Sequence, residues 1–195
     1  MSIPKQVPEQ LRSRRGVLPR WIGIIVLKLM GWRVEGEIPD LNRALLIGAP
    51  HTSNWDFVIA MASILAINLK MFWLAKHTIF VPVIRVVFNW LGGIPTNRDE
   101  PRAVVDHVMS LAEKEGTVVI GITPEGTRKK VAIWKTGFLR LARNLRCPII
   151  MVGLSFSTKR VIIGDLFYPT GNNAADLVTI RKYYEQFDGR YPDQF

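Results

Sequence analysis

Two rhythms of apolar and polar residues alternate along this chain. Short apolar runs bounded by Gly, Pro or charge recur at ALLIGAP (44–50), KMFWLAK (70–76), TVVIGIT (117–123), PIIMVGLSF (148–156) and RVIIGDLFY (160–168). Their length and their content of β-branched and aromatic residues predict strands. Between them, SNWDFVIAMASILAI, IFVPVIRVVFNWL, EPRAVVDHVMSLAEKEG and WKTGFLRLARNLR carry helical spacing. Pro101 suits a first helical turn and Gly116 a C-terminal cap. In the second of these stretches Pro82 must lie in the first turn or break the helix. The alternation predicts an α/β fold: a single domain with a mixed, largely parallel central sheet flanked by helices. There is no internal repeat, low-complexity stretch or second domain.

The front of the chain departs from this rhythm. In LPRWIGIIVLKLMGW (18–32) the uninterrupted apolar core, Trp21 to Leu27, is far short of the ~20 residues that span a bilayer, and Lys28 interrupts it. Upstream, Lys5, Arg12, Arg14, Arg15 and Arg20 face only Glu9. A basic flank with tryptophan at each end of an apolar run is the make-up of an interfacial anchor. Residues 1–33 are therefore expected to form a basic, amphipathic membrane-association segment ahead of the α/β domain at 34–195. A core helix of the domain is the competing reading. A cleaved signal peptide fits less well, given the long front region and the lack of an A-x-A site.

Composition narrows the partners. At 195 residues with 48% hydrophobic and 22% charged, the chain can fill one core. Its net charge of +10 points to an anionic partner: nucleic acid, a phosphorylated substrate or acidic lipid headgroups. No zinc spacing, RNP motif or basic reading helix is present, so no nucleic-acid partner is expected. The single cysteine, Cys147, excludes an intrachain disulfide and a multi-cysteine zinc site, fits a reducing compartment, and reads as a buried small hydrophobe.

Candidate chemistry lies in APHTSNWDF (49–57). Residues five apart on one helix are rotated by roughly 140° and do not touch. If a helix begins near Ser53 or Asn54, however, His51 sits in the preceding turn and can fold back to donate one ring N–H to Asp56, leaving the other nitrogen as a base. A second reading needs no catalysis: Ser53 and Asp56 form an S-x-x-D capping box. Ser53 is an N-cap hydroxyl before it is a nucleophile. The backbone N–H groups at this helix start are candidate oxyanion donors. His77 and His107 have no comparable context.

PHTSNWD, followed by GGIPTNR and then TPEGTR, resembles the glycerolphosphate and lysophospholipid acyltransferase family, the PlsC-like superfamily, over residues 44 to about 156. The resemblance implies O-acyl transfer from acyl-CoA or acyl carrier protein to a hydroxyl of a lipid acceptor such as lysophosphatidic acid. It makes His51 and Asp56 the catalytic H-x4-D pair. It assigns Arg98 of the second block, and Glu125, Gly126, Thr127 and Arg128 of the third, to binding the phosphate and glycerol part of the acceptor. It implies no cofactor or metal beyond the acyl donor, and it places the protein on the cytoplasmic face of an anionic membrane, peripheral or monotopic. WKTGF also fits the family's K-[ST]-G. Three departures bear on the acceptor: Asn97 stands where Asp is frequent, Pro95 follows Ile94, and Gly153 in CPIIMVGLSF replaces a common proline.

Elementary chemistry agrees with this resemblance. A thioester is already activated, so a base that takes the acceptor hydroxyl's proton suffices, and an imidazole with pKa near 6.5 suits the task. A guanidinium fork grips phosphate oxygens. The rivals are a thioesterase using His51 with water, which has no use for Arg98 and EGTR, and a membrane- or nucleic-acid-binding protein without chemistry.

Overall fold

The computed structural model describes residues 7–97 and 99–195. Lys5 and Arg98 lie outside the described residues. One sheet of seven strands runs through the described chain: β1 (Arg33–Glu35), β2 (Arg43–Ala49), β3 (Phe72–Lys76), β4 (Gly93–Thr96), β5 (Val118–Ile122), β6 (Ile149–Ser155) and β7 (Arg160–Phe167), in the order β1-β7-β6-β2-β5-β3-β4. Every pairing is parallel except β6 with β7. The helices are α1 (Val17–Met30), α2 (Asn54–Ala66), α3 (Pro82–Trp90), α4 (Pro101–Glu115), α5 (Gly137–Leu145) and α6 (Asn173–Tyr184).

The strands read as unbroken apolar runs because helices cover both faces of the sheet. Along β2 the side chains alternate between two cores. Ala44 and Leu46 meet α1 and α2, whereas Leu45, Ile47 and Ala49 meet α4, α5 and α6. The Cys147 thiol is buried in the second core, and burial pushes its pKa up to about 11.

The five expected strands and four expected helices are all present, and Pro82 opens α3 rather than breaking it. Three further elements carry too little pattern to be read from sequence. β1 is only three residues long. β4 contains Pro95, which a central strand would not tolerate, but β4 closes the sheet at its edge, where a missing N–H costs no ladder bond. α6 has a weakly amphipathic sequence, and its start is marked by Asn172, whose side chain accepts from the Ala175 N–H at 3.2 Å.

Helix α1 has two different faces. Gly23 and Leu27 are buried against α2, and a Cβ on Gly23 would lie 2.5 Å from the Ala62 carbonyl oxygen and 2.6 Å from the Ala66 nitrogen. The core-helix reading holds for this face. The opposite face leaves Val17, Leu18, Trp21, Ile22, Ile25 and Leu29 exposed. Among the described residues no helix is long and apolar enough to cross a membrane.

Gly23→Ala sets two effects against each other. Alanine favours a helix by up to about 1 kcal/mol over glycine. Overpacking against backbone that cannot yield costs about 1–3 kcal/mol. The clash is expected to win and lower the melting temperature; an increase would mean that α1 is not seated on α2.

Candidate active site

The register of β2 with β5 brings the HTSNWD and TPEGTR blocks of the chain into one place. The strands are adjacent and parallel, with Ile47 opposite Ile122. The loops that leave their carboxyl ends, Pro50–Ser53 and Thr123–Lys130, therefore emerge side by side, where open α/β sheets place ligands.

In the first loop, His51 Nδ1 lies 3.1 Å from Asp56 Oδ2. The same Oδ2 accepts the backbone N–H groups of Thr52 and Ser53, each at 2.7 Å, and Oδ1 accepts the Ser53 hydroxyl at 2.7 Å. Asp56 is 3% exposed. The dyad and the capping box are thus both present and share one carboxylate. Because Asp56 already accepts from every other neighbour, Nδ1 carries the imidazole proton and Nε2 is left as the accepting nitrogen.

These bonds narrow one expectation. The N–H groups of Thr52 and Ser53 are spent on Asp56, and that of His51 on Glu125, so these three are not oxyanion donors. Glu125 also differs from its expected place facing an acceptor hydroxyl. Both its oxygens face the His51 N–H, at 2.9 and 3.1 Å, and the residue is buried. Burial drives its pKa up to about 8, only partly offset by the His51 N–H, and the Asp56 charge raises it further. Beyond it, Gly126 turns the loop at φ 67°, a conformation that favours glycine. Thr127 is half-buried and Arg128 exposed.

Both loops open onto a cleft of about 380 Å³. His51, Lys76, Thr127 and Arg128 line its polar part, and Phe57, Ala60, Met61, Met71, Trp73 and Leu154 its apolar part. Lys76 escaped the sequence reading, although its place at the carboxyl end of β3, beside β5, was a signal. A second cavity, of about 190 Å³, lies beyond Thr123 and Gly126 and is lined by Asn97, Lys135 and Arg140. Asn97 donates to Glu100 Oε1 at 2.7 Å and accepts from the Asp99 N–H. An aspartate there would set two carboxylates against each other. Gly153 leaves room for the Phe187 ring, which a Cβ would meet at 2.1 Å.

A C-terminal strap, also unread from sequence, holds the two loops from behind. Tyr191 N–H donates to Thr52 Oγ1 at 3.2 Å. Gln194, its amide turned to donate, reaches the carbonyls of Thr52 at 3.1 Å and Arg128 at 2.6 Å. Phe195 packs on Trp134, and Arg190 lies over the Trp55 ring. Among the described residues no group of three His, Cys, Asp or Glu side chains could hold a metal ion.

A histidine–carboxylate pair at the rim of an apolar cleft, on the carboxyl edge of a parallel sheet, is the equipment of an acyl-transfer enzyme acting on a lipid. The chain belongs to the Acyltransferase family, whose model matches residues 32–155. It is similar in fold to the crystal structure of PlsC, a 1-acyl-sn-glycerophosphate acyltransferase from Thermotoga maritima. The two share 18% identity and a TM-score of 0.59 over 89% of this chain and 80% of that one. No curated protein matches the chain.

The raised pKa of Glu125 has a measurable sign. Between the ordinary carboxyl value of 4.5 and about 8, the folded chain holds a proton that the unfolded chain releases, so stability falls as pH rises through this interval. Glu125→Gln keeps the shape and cannot titrate, and its melting temperature is expected to decline less over the same range. Parallel curves for the two proteins would show that Glu125 is ionised in the folded state.

Proposed function

We propose that the protein moves a fatty acyl group from acyl-CoA or acyl carrier protein to a hydroxyl of a glycerophospholipid-type acceptor such as lysophosphatidic acid. His51 is the general base and Asp56 its orienting carboxylate. The observation that carries this reading is the 3.1 Å His51–Asp56 contact at the rim of the apolar cleft.

The acceptor oxygen attacks the thioester carbonyl carbon while His51 Nε2 takes its proton. Asp56 fixes the tautomer and stabilises the imidazolium. As the tetrahedral species collapses, the C–S bond breaks and the departing thiolate recovers that proton, returning the imidazole to neutrality. Glu125, its pKa raised to about 8 by burial, holds the His51 backbone, and Asp56 is the carboxylate that faces the ring.

The two parts of the cleft suit the two parts of a lysophospholipid. Arg128, Lys76 and Thr127 can bind a phosphate, with Arg98 assigned to the same task by its motif, and Gly126 lets the backbone approach the ligand. The side chains of Phe57, Met61, Met71 and Trp73 can take an acyl chain. The acceptor named for the Thermotoga maritima protein is of this class. Such lipids reside in bilayers, and the exposed apolar face of α1, flanked by Arg14, Arg20 and Lys28, suits peripheral attachment to an anionic leaflet on the cytoplasmic side.

Replacing His51 by Ala is expected to lower acyl transfer by about 10²- to 10⁴-fold, with a modest fall in melting temperature because the buried Asp56 loses one of its four donors. Retention of a large part of wild-type turnover, with acyl-CoA and lysophosphatidic acid as substrates, would refute the assignment. Asp56→Asn should lose both turnover and stability, the latter by about 0.5–2 kcal/mol because a cap is damaged. Ser53→Ala should lose stability alone. For Arg128→Ala, KM for a phosphorylated acceptor is expected to rise more than kcat falls, because a ground-state contact is removed. Lys at that position should rescue only partly, and unchanged KM would take Arg128 out of the acceptor site.

A further inference from the structure

The net charge of this protein is confined to two stretches. Residues 10–34 and 57–98 contain none of the sixteen acidic residues and ten of the twenty-six Lys and Arg, so the remainder of the chain is neutral. The first stretch contains α1. The second contains α3, a helix with no buried residue.

Helix α3 is anchored by one side only. Phe88, with Phe80 just before the helix, turns onto Trp73 and Phe57 in an aromatic cluster. On the other side Val83, Val86, Val87 and Trp90 are 82%, 71%, 52% and 50% exposed. Their spacing of three and four residues places them on one face. Such a stripe on a small domain is unfavourable in water and marks an interaction site. Arg85, on the far side of the same helix, and Lys76, ahead of it, are exposed.

Two contacts locate this face. Arg15, just ahead of α1, donates to the Trp90 carbonyl at 3.2 Å and lies over the Trp90 ring, so the end of α3 adjoins the start of α1. Lys76 and Ile79, immediately before α3, line the cleft that holds His51. We propose that α3 is a second membrane-docking element, which seats its Val83–Trp90 face in an anionic leaflet and so sets the mouth of the cleft at the lipid surface. Charge decides for a leaflet over a second copy of this chain: the stretches that carry both apolar helices hold ten cationic and no acidic residues, so copies meeting there would repel, while anionic headgroups attract them. The inference rests on the acyl-transfer reading for the use it makes of the cleft, but the docking is measured without chemistry.

The test is sedimentation of the full chain with vesicles of equimolar phosphatidylcholine and phosphatidylglycerol, beside turnover of a short-chain, water-soluble acceptor. Val83 and Val86 touch neither core nor cleft. V83D/V86D is therefore expected to lose at least about tenfold in vesicle partitioning, since two apolar insertions are replaced by carboxylates, while soluble-acceptor turnover and melting temperature stay at wild-type values. The uncharged V83S/V86S should lose less. Should V83D/V86D fail to fold, brominated lipid decides: wild-type fluorescence should be quenched more than that of Trp90→Phe. Wild-type sedimentation of folded V83D/V86D, or equal quenching of wild type and W90F, would overturn the proposal. So would a wild-type dimer that V83D/V86D dissociates. If the acyl-transfer reading itself fails, the soluble acceptor goes untouched while α3-dependent vesicle binding persists.

Discussion

Asp56 receives four hydrogen bonds while almost wholly removed from water, and the geometry of the site depends on that carboxylate. A buried charge is tolerable only where its lone pairs are filled. Here the donors are the Thr52 and Ser53 backbone N–H groups just ahead of α2, the Ser53 hydroxyl and the His51 ring. The cost of burying the charge therefore fixes where the helix starts, how the loop folds back and which ring nitrogen holds the proton. Capping the helix and holding the His51 ring are not competing uses of Asp56, because one carboxylate does both.

The neighbouring loop is coupled to this one by a second carboxyl group with the opposite electrostatic fate. Glu125 meets one backbone N–H instead of four donors, and burial prevails, so it keeps its proton well above the ordinary carboxyl range. Two acidic residues within one constellation thus differ in their hydrogen-bond supply. The parallel pairing of β2 with β5 makes the arrangement possible, since parallel neighbours end at the same edge of the sheet and deliver both loops there.

Much of this was legible in the sequence, for identifiable reasons. Strands buried on both faces announce themselves as apolar runs, and the H-x4-D spacing works only with the histidine outside the helix, which is where the turn puts it. Elements whose character comes from their neighbours were not legible. β4 is a strand because it has an edge to occupy despite Pro95. α6 is held by Asp176, which accepts from the Thr170 backbone and hydroxyl, and by the burial of Ile180 and Tyr184 under the sheet. Glu125 was read as facing the acceptor because a motif gives residue types but not the direction of a carboxyl group. A helix start offers backbone donors to an oxyanion by default, but those of Thr52 and Ser53 already serve Asp56.

The strap formed by Tyr191, Gln194 and Phe195 alters what counts as the smallest working unit. The family match ends at residue 155, yet the carbonyls of Thr52 and Arg128 are tied down by residues nearly forty positions beyond it and one core is closed by α6. The conserved pattern and the mechanical unit therefore have different boundaries. A chimera that exchanges only the matched region would carry every motif letter while leaving the two loops without their shared clasp, so the tail must travel with the motifs it restrains.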